Sequence, residues 1–281
     1  MRQLFLYASL IALMFITGAY AIADLDEGLV VYFTFDNVNG KQILDESGNG
    51  LDAEVVKNTK FVEGKYGNAI RITRKTEDCV NIPSEDALKI GEEITMMAWV
   101  YHDDWTRSSF QWFDKGSHSR DSNKLYGMGV FGVDALNLGA FFKEKSLIAT
   151  ILGGERRTHF VSKHEMKDGT WHHVVGTCTD TSVKIYLDGE SILNINRDTV
   201  RVGFRRVNFN GVNDKDLRIG CVQNKPEYAF EDGSIDEVAI WNRALSGTEI
   251  RDAMRGNLLA VSPKDKIATT WGNIKQKVSQ R

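Results

Sequence analysis

The chain is poor in residues that break or staple a fold: 281 residues contain 3 prolines and 3 cysteines. The cysteines, Cys79, Cys178 and Cys221, lie far apart with no C-x-x-C spacing, which excludes a zinc knuckle and a disulfide-dense scaffold. Charge of one sign is lacking too. A formal net charge of −3 and a pI near 6.1 leave no basic field to recruit nucleic acid and no solvating acidic tail. The sequence has no H-E-x-x-H, no G-x-S-x-G and no phosphate-binding loop. Its six histidines are scattered, and the adjacent His172 and His173 would face opposite sides of one strand. Metallopeptidase, serine-hydrolase and nucleotide-hydrolase chemistry are therefore disfavoured.

What is present is strand. From Leu29 onward, short apolar or alternating runs such as "LVVYFTF", "ITMMAWVYH", "HHVVGTC" and "SIDEVAIW" are separated by Gly, Asp and Asn. In "SVKIYLDGE", Val183, Ile185 and Leu187 alternate with Lys184 and Tyr186, and Asp188-Gly189 supplies a tight hairpin turn. Helix is confined to the end of this region. Ser246 and Glu249 have capping-box spacing, Ile250, Ala253 and Met254 form an apolar stripe, and Gly256 stands where a helix would stop. "SEDALKI" reads as a single helical turn. Each cysteine sits in a strand-like run, so buried free thiols are expected in preference to a bridge.

Residues 1–23 combine an early positive charge, a long apolar run and small residues at Ala21 and Ala23, the pattern of a cleaved export signal. No later apolar run has spanning length. The expected location is outside the cytoplasm: secreted, at the cell surface or in the periplasm. Nothing between Leu29 and Gly256 marks an internal boundary, which favours one domain.

The ordered segments "LVVYFTFD", "LDESGNGLDAEV", "VEGKYGNAIRI", "ITMMAWVY", "GTWHHVVGTCTDTSVKIYLDGE" and "GSIDEVAIWNRALSGTEI" resemble the concanavalin A-like, laminin G-like (pentraxin-like) jelly-roll domain of exported bacterial proteins. The resemblance runs from Leu29 to Met254. It implies an all-β fold, a concanavalin A-like jelly-roll sandwich of two antiparallel sheets with a short C-terminal helix. The expected division is an export signal over 1–23, the jelly-roll domain over 24–256 and a basic C-terminal extension over 257–281. Because this scaffold carries lectins, adhesive modules and glycosidases alike, function has to be argued from sites.

Related domains hold a structural calcium where the first and last strands meet. The residues expected to hold it here are Asp36 and Asp236 through carboxylates and Asn49 and Gly50 through carbonyls, since calcium takes about 6 to 8 oxygen ligands. Asp45 and Asp52 look better placed for bonds within their own turn. The E-x-D-x-x-E pattern of jelly-roll β-glucanases is absent, and Glu231 and Glu237 are in the wrong register to replace it. A non-catalytic module binding a carbohydrate or cell-surface glycoconjugate is the favoured function. The alternatives are a structural or adhesive module that binds protein, and a glycoside hydrolase with an unfamiliar carboxylate pair. Sugar sites join an aromatic platform to polar contacts. In "YHDDWTRSSFQWFDKGSHSRDSNKLYG" the candidates are Trp105, Gln111, Trp112, Arg120 and Tyr126, whereas Trp99, Trp171 and Trp241 read as core or sheet-packing residues.

Overall fold

The computed structural model describes residues 24–73, 77–90, 93–105, 110–116, 126–130, 137–142, 158–163, 166–179, 181–196, 214–222, 230, 232–256 and 258. The expected export signal, Arg120 and all of the C-terminal extension except Leu258 lie outside these residues.

In chain order the strands begin with β1 (Leu29–Phe33), β2 (Val38–Asn39), β3 (Gln42–Ile43), β4 (Ala53–Val56), β5 (Lys60–Glu63) and β6 (Asn68–Ile72). They continue with β7 (Cys79–Ile82), β8 (Ile94–His102), β9 (Phe110–Lys115), β10 (Tyr126–Val130), β11 (Asn137–Phe142) and β12 (Thr158–Lys163). The last are β13 (Thr170–Cys178), β14 (Ser182–Leu187), β15 (Glu190–Asn196), β16 (Leu217–Ile219) and β17 (Gly233–Trp241), followed by helix α1 (Gly247–Ala253). Every pairing among them is antiparallel. An eight-stranded sheet runs β15-β14-β13-β8-β17-β6-β5 with β1 also on β17, and a nine-stranded sheet runs β12-β11-β10-β9-β16-β7-β4-β3-β2. The jelly-roll sandwich expected from the sequence is what forms.

The period-two pattern of β8 shows how the layers are filled. Ile94, Met96, Ala98 and Val100 join the core between the sheets, while Met97 joins a second apolar cluster on the outer face of the eight-stranded sheet. That outer cluster includes Tyr186, Trp241, Leu245, Ile250 and Ala253, so α1 packs over one end of the sheet. The helix starts at the expected capping box, with the Ser246 side chain accepting from the Glu249 amide and Glu249 accepting from the Ser246 amide. "SEDALKI" yields one 3-10 turn over Asp86–Leu88. The β14–β15 hairpin turns at Asp188 (φ 51) and Gly189 (φ 82), as its sequence predicts. The Asp188 carboxylate also accepts from His172 Nδ1 and from the His173 amide, both at 2.8 Å.

The cysteine expectation is overturned. Cys79 and Cys221 form a disulfide with Cα atoms 5.5 Å apart, while Cys178 is buried outside that bridge. A strand-like setting was a poor guide because β7 and β16 are sheet neighbours, with Val80 opposite Ile219, which brings the flanking cysteines within bridging distance.

His173, fully buried against Trp99 at 5.2 Å between ring centroids, has no hydrogen-bond partner for either ring nitrogen. Burial depresses its pKa to about 3, with the Asp188 charge opposing weakly. Because the folded value lies below that of the unfolded chain, stability is full above the unfolded value and falls as pH drops through the acid range. His173→Leu removes both the orphaned nitrogens and this titration. It should be more stable than the parent, by a margin that widens by about 2 kcal/mol between pH 7 and pH 5 in urea titrations.

Candidate functional site: an acidic cavity at the split edge of β17

One edge of β17 pairs first with β6, over Gly233–Ile235, and then with β1, from Val238 to Trp241. Asp236 and Glu237 fall in the gap between these partners. On the opposite edge, against β8, the register shifts between Asp236 and Ala239, and Glu237 adopts φ 48. This bulge keeps both Ile235 and Val238 in the core and turns the two carboxyls out of ordinary strand alternation.

A cavity of about 270 Å³ opens at the gap, lined by Tyr32, Thr34, Asp36, Glu46, Tyr66 and Glu237, with Arg255 and Gly256 from the segment after α1. Glu237, only 3% exposed, accepts from the Tyr32 hydroxyl, and Glu46 accepts from the Thr34 hydroxyl. Asp236, fully buried, accepts from the Tyr66 amide at 2.9 Å and the Glu237 amide at 2.7 Å. Asp36 accepts from the backbone and side-chain nitrogens of Asn68, each at 2.8 Å.

The β5–β6 turn is shaped around these carboxylates. A Cβ on Gly64 would stand 2.5 Å from Asp236 Oδ2 and 2.9 Å from the Tyr66 carbonyl oxygen. Gly67 (φ +50) is pressed against the Asp36 carboxylate, so only glycine fits the close approach there.

Electrostatics follow from the crowding. Burial raises the Glu237 carboxyl to about 7, and the charges of Glu46 and Asp36 push the same way against the Tyr32 hydrogen bond. Asp236 is also raised to about 7, mainly by burial and further by Glu237, although the Tyr66 amide opposes this. Burial and the neighbouring Glu237 drive the Tyr32 hydroxyl far above its ordinary value, which keeps it a donor. The cavity thus gathers oxygen donors of mostly negative character, the chemistry a hard cation requires. Among the described residues, no three carboxylate, imidazole or thiolate groups stand close enough to hold a metal by themselves. A bound cation would therefore also draw on hydroxyl, carbonyl or water oxygens.

The sequence-predicted site residues are only partly brought together. Asp36 and Asp236 meet the same β5–β6 turn. Asn49 and Gly50 do not join them: the Asn49 amide donates to the Leu29 and Val30 carbonyls at 2.8 and 2.9 Å, at the far end of β1, and Gly50 is exposed. The "DESGNG" turn is organised instead by Asp45, which accepts from the amides of Tyr32, Ser47 and Leu51, and by Asp52, which accepts from the Asp45 amide. Glu46, Glu237, Tyr32 and Thr34 escaped the sequence reading. Strand alternation would send Glu237 away from Asp236, and only the bulge reverses that. The adjacency of Glu46 to the turn and the G-x-x-G of "GKYG" were the signals available.

The aromatic candidates require correction. Trp105, Gln111, Trp112 and Tyr126 are 1%, 2%, 0% and 0% exposed, so none can offer a surface platform to a sugar. Trp105 stacks on Phe230 at 6.3 Å and its Nε1 donates to the Lys167 carbonyl at 3.3 Å. The Tyr126 hydroxyl donates to the Leu88 carbonyl at 3.1 Å.

No curated protein sequence matches the chain. Among solved structures it is similar to the binding domain of Paraclostridial Mosquitocidal Protein 1, with 16% identity, a TM-score of 0.58 and coverage of 81% of this chain and 52% of that one. It is also similar to domain 4 of an extracellular arabinanase from Geobacillus stearothermophilus, solved with arabinotriose, at 17% identity, TM-score 0.54 and coverage of 80% and 97%. The receptor binding domain of botulinum neurotoxin mosaic serotype C/D gives 14% identity, TM-score 0.56 and coverage of 84% and 52%. The chain spans about half the length of the two toxin structures, and at these identities the likeness is one of fold. A laminin G-like family model matches residues 74–251, nearly the whole run from β7 to α1, and with the two packed antiparallel sheets this places the chain in the concanavalin A-like lectin/glucanases superfamily, to which it belongs.

Proposed function

We propose that the protein is an exported, non-catalytic binding module that recognises glycans or other cell-surface or matrix molecules and is braced by a structural calcium ion. The observation carrying this reading is the disposition of the two carboxyls at the β17 bulge, of which Glu237 lines the cavity and Asp236 lies behind it. Both oxygens of Asp236 are tied to backbone amides inside the fold, and Glu237 is enclosed and tied to Tyr32. Groups held in this way suit bracing. Acid–base work on a glycosidic bond calls for a carboxyl pair that can reach a substrate, about 5 to 9.5 Å apart.

Three features support the reading. The similar structures include a toxin binding domain, a receptor binding domain and a domain solved with arabinotriose. The Cys79–Cys221 bridge suits an oxidising compartment. Asp36, Glu46 and Glu237 line the cavity from three separate parts of the chain, and a calcium ion there would be held directly by fewer than three of them, with hydroxyl, carbonyl or water oxygens completing the shell. When bound, calcium would supply the positive charge that this crowding lacks and would tie β1, the turn before β4 and β17 together.

Melting curves in millimolar calcium and in excess chelator test the ion. The calcium form should gain roughly 3 kcal/mol when the ion is a hundredfold above its Kd, and Glu237→Gln should abolish most of that gain. Identical curves in both buffers would remove calcium from the reading. Binding of the whole protein to an immobilised glycan panel tests recognition. Retention of no glycan at millimolar concentration, alongside capture of a protein ligand, would replace the lectin reading with the adhesive one.

A further inference from the structure

Among the described residues, the outer face of the eight-stranded sheet is covered by α1 at one end. Toward the other end, cross-strand register sets five residues in a single row on that face. Lys60 of β5 stands opposite Arg71 of β6, Arg71 opposite Ser234 of β17, Ser234 opposite Tyr101 of β8, and Tyr101 opposite Trp171 of β13. Their neighbours Ile70, Ile72, Ile235 and Val100 belong to the core between the sheets, so the row points the other way. With strands about 4.8 Å apart, Arg71 to Trp171 spans about 14 Å.

The row has the make-up of a carbohydrate platform. Tyr101 and Trp171 are half-buried, with ring centroids 5.6 Å apart and an interplanar angle of 50°. Gly169 (φ +63) stands beside Tyr101, and a Cβ there would meet nothing nearer than the Tyr101 hydroxyl at 3.8 Å. The Tyr101 hydroxyl is fixed by donation to Asp103 Oδ1 at 2.8 Å. Arg71 approaches Asp103 Oδ2 at 3.6 Å, too long for a hydrogen bond, and donates to Ser234 Oγ at 3.5 Å. A carboxylate with spare lone pairs and a guanidinium with spare N–H groups are therefore held side by side at the edge of an aromatic surface. Further along this face the platform is closed, because Lys65 Nζ lies 4.5 Å from the Trp99 ring centroid and Tyr66 meets Trp99 edge-on.

We propose that Tyr101, Trp171, Asp103 and Arg71 form the glycan site, taking a neutral sugar whose ring lies on the two aromatics. Asp103 accepts from one hydroxyl of a vicinal pair and Arg71 donates to the other. The exposed Asp103 carboxylate beside the rings disfavours an acidic sugar there. The inference rests on the glycan-binding reading above and gives that reading a location remote from the acidic cavity.

The test uses the whole protein. Neutral gluco-, manno-, galacto-, xylo- and arabino-oligosaccharides are screened, and the tightest is titrated while tryptophan emission is followed. Trp171→Ala and Arg71→Gln should each weaken binding by about tenfold or more, the scale of one lost stacking or charged contact, with melting temperatures near that of the parent. If Trp171→Ala fails to fold, Asp103→Asn and Arg71→Gln carry the result. Parent-like binding, within twofold, in the folded variants would overturn this site and leave the glycan reading standing. Parent protein that binds none of the sugars would defeat both. A change in sedimentation on Trp171→Ala with sugar binding intact would reassign the row to self-association.

Discussion

Replacing Cys79 and Cys221 together with alanine should lower stability by up to about 5 kcal/mol, the chain-entropy value for closing a loop of this length. The bridge joins residues 142 apart in sequence. It also fastens a crowded corner of the nine-stranded sheet. Just before Cys221, the Gly220 amide donates to the Trp112 carbonyl and the Gly220 carbonyl accepts from the Phe230 amide. Unfolding in guanidinium with and without reductant measures the effect. Reduced parent should coincide with the double variant, and Cys178→Ala should leave the response to reductant intact, since Cys178 lies outside the bridge. A loss below about 1 kcal/mol would mean that the bridge contributes little beyond the hydrogen bonds β7 and β16 already share.

Trp105→Ala should cost about 3 to 5 kcal/mol, the range for emptying a buried tryptophan site. The indole is 1% exposed and is ringed by His102 at 5.4 Å, His172 at 6.2 Å, and Trp112 and Phe230 at 6.3 Å each. Its backbone amide donates to the Asp168 carboxylate at 2.8 Å, so the side chain and the loop that carries it are anchored together. The measurement pairs urea midpoints with sugar affinity at a temperature where both proteins are folded. Stability should fall while affinity per folded molecule holds. The reverse outcome, lost affinity at parent-like stability, would restore Trp105 to the ligand site that its polar sequence neighbours suggested.

The contrast between Trp105 and Trp171 shows where sequence reasoning failed at the candidate site. Trp105 sits among Asp, Thr, Arg and Ser in the chain, so it reads as exposed. Trp171 precedes two histidines and an apolar run in "GTWHHVV", so it reads as a core or sheet-packing residue. The fold inverts the first reading and gives the second its sheet-packing form. Trp105 folds inward over the end of the sandwich against Phe230, whereas Trp171 falls on the outer face of β13 beside Tyr101, beyond the reach of α1. Burial is set by which element covers a face, and nothing in the residues adjacent to a tryptophan reports that. The residues expected to hold calcium divide along the same line. Asp36 and Asp236 could be paired through the closeness of the first and last strands in the resembled fold. That Asn49 lies away from the acidic cavity and that Glu237 lines it depend on hydrogen bonds to β1 and on a bulge.

Strand identity, the Asp188-Gly189 hairpin, the capping box at Ser246 and the two-sheet class were all legible in the residue order. The first three rest on interactions within a few positions, namely side-chain alternation, left-handed turn residues and a local cap, while the two-sheet class follows from the resemblance that the ordered segments carry. The disulfide partner, the acidic cavity and the row from Lys60 to Trp171 belong to another order of information. They arise where strands distant in sequence become neighbours, as when β17 divides one edge between β6 and β1 and so leaves Asp236 and Glu237 facing a gap. Such neighbours are selected by the packing of whole faces against one another, a long-range condition that no short stretch of chain can encode.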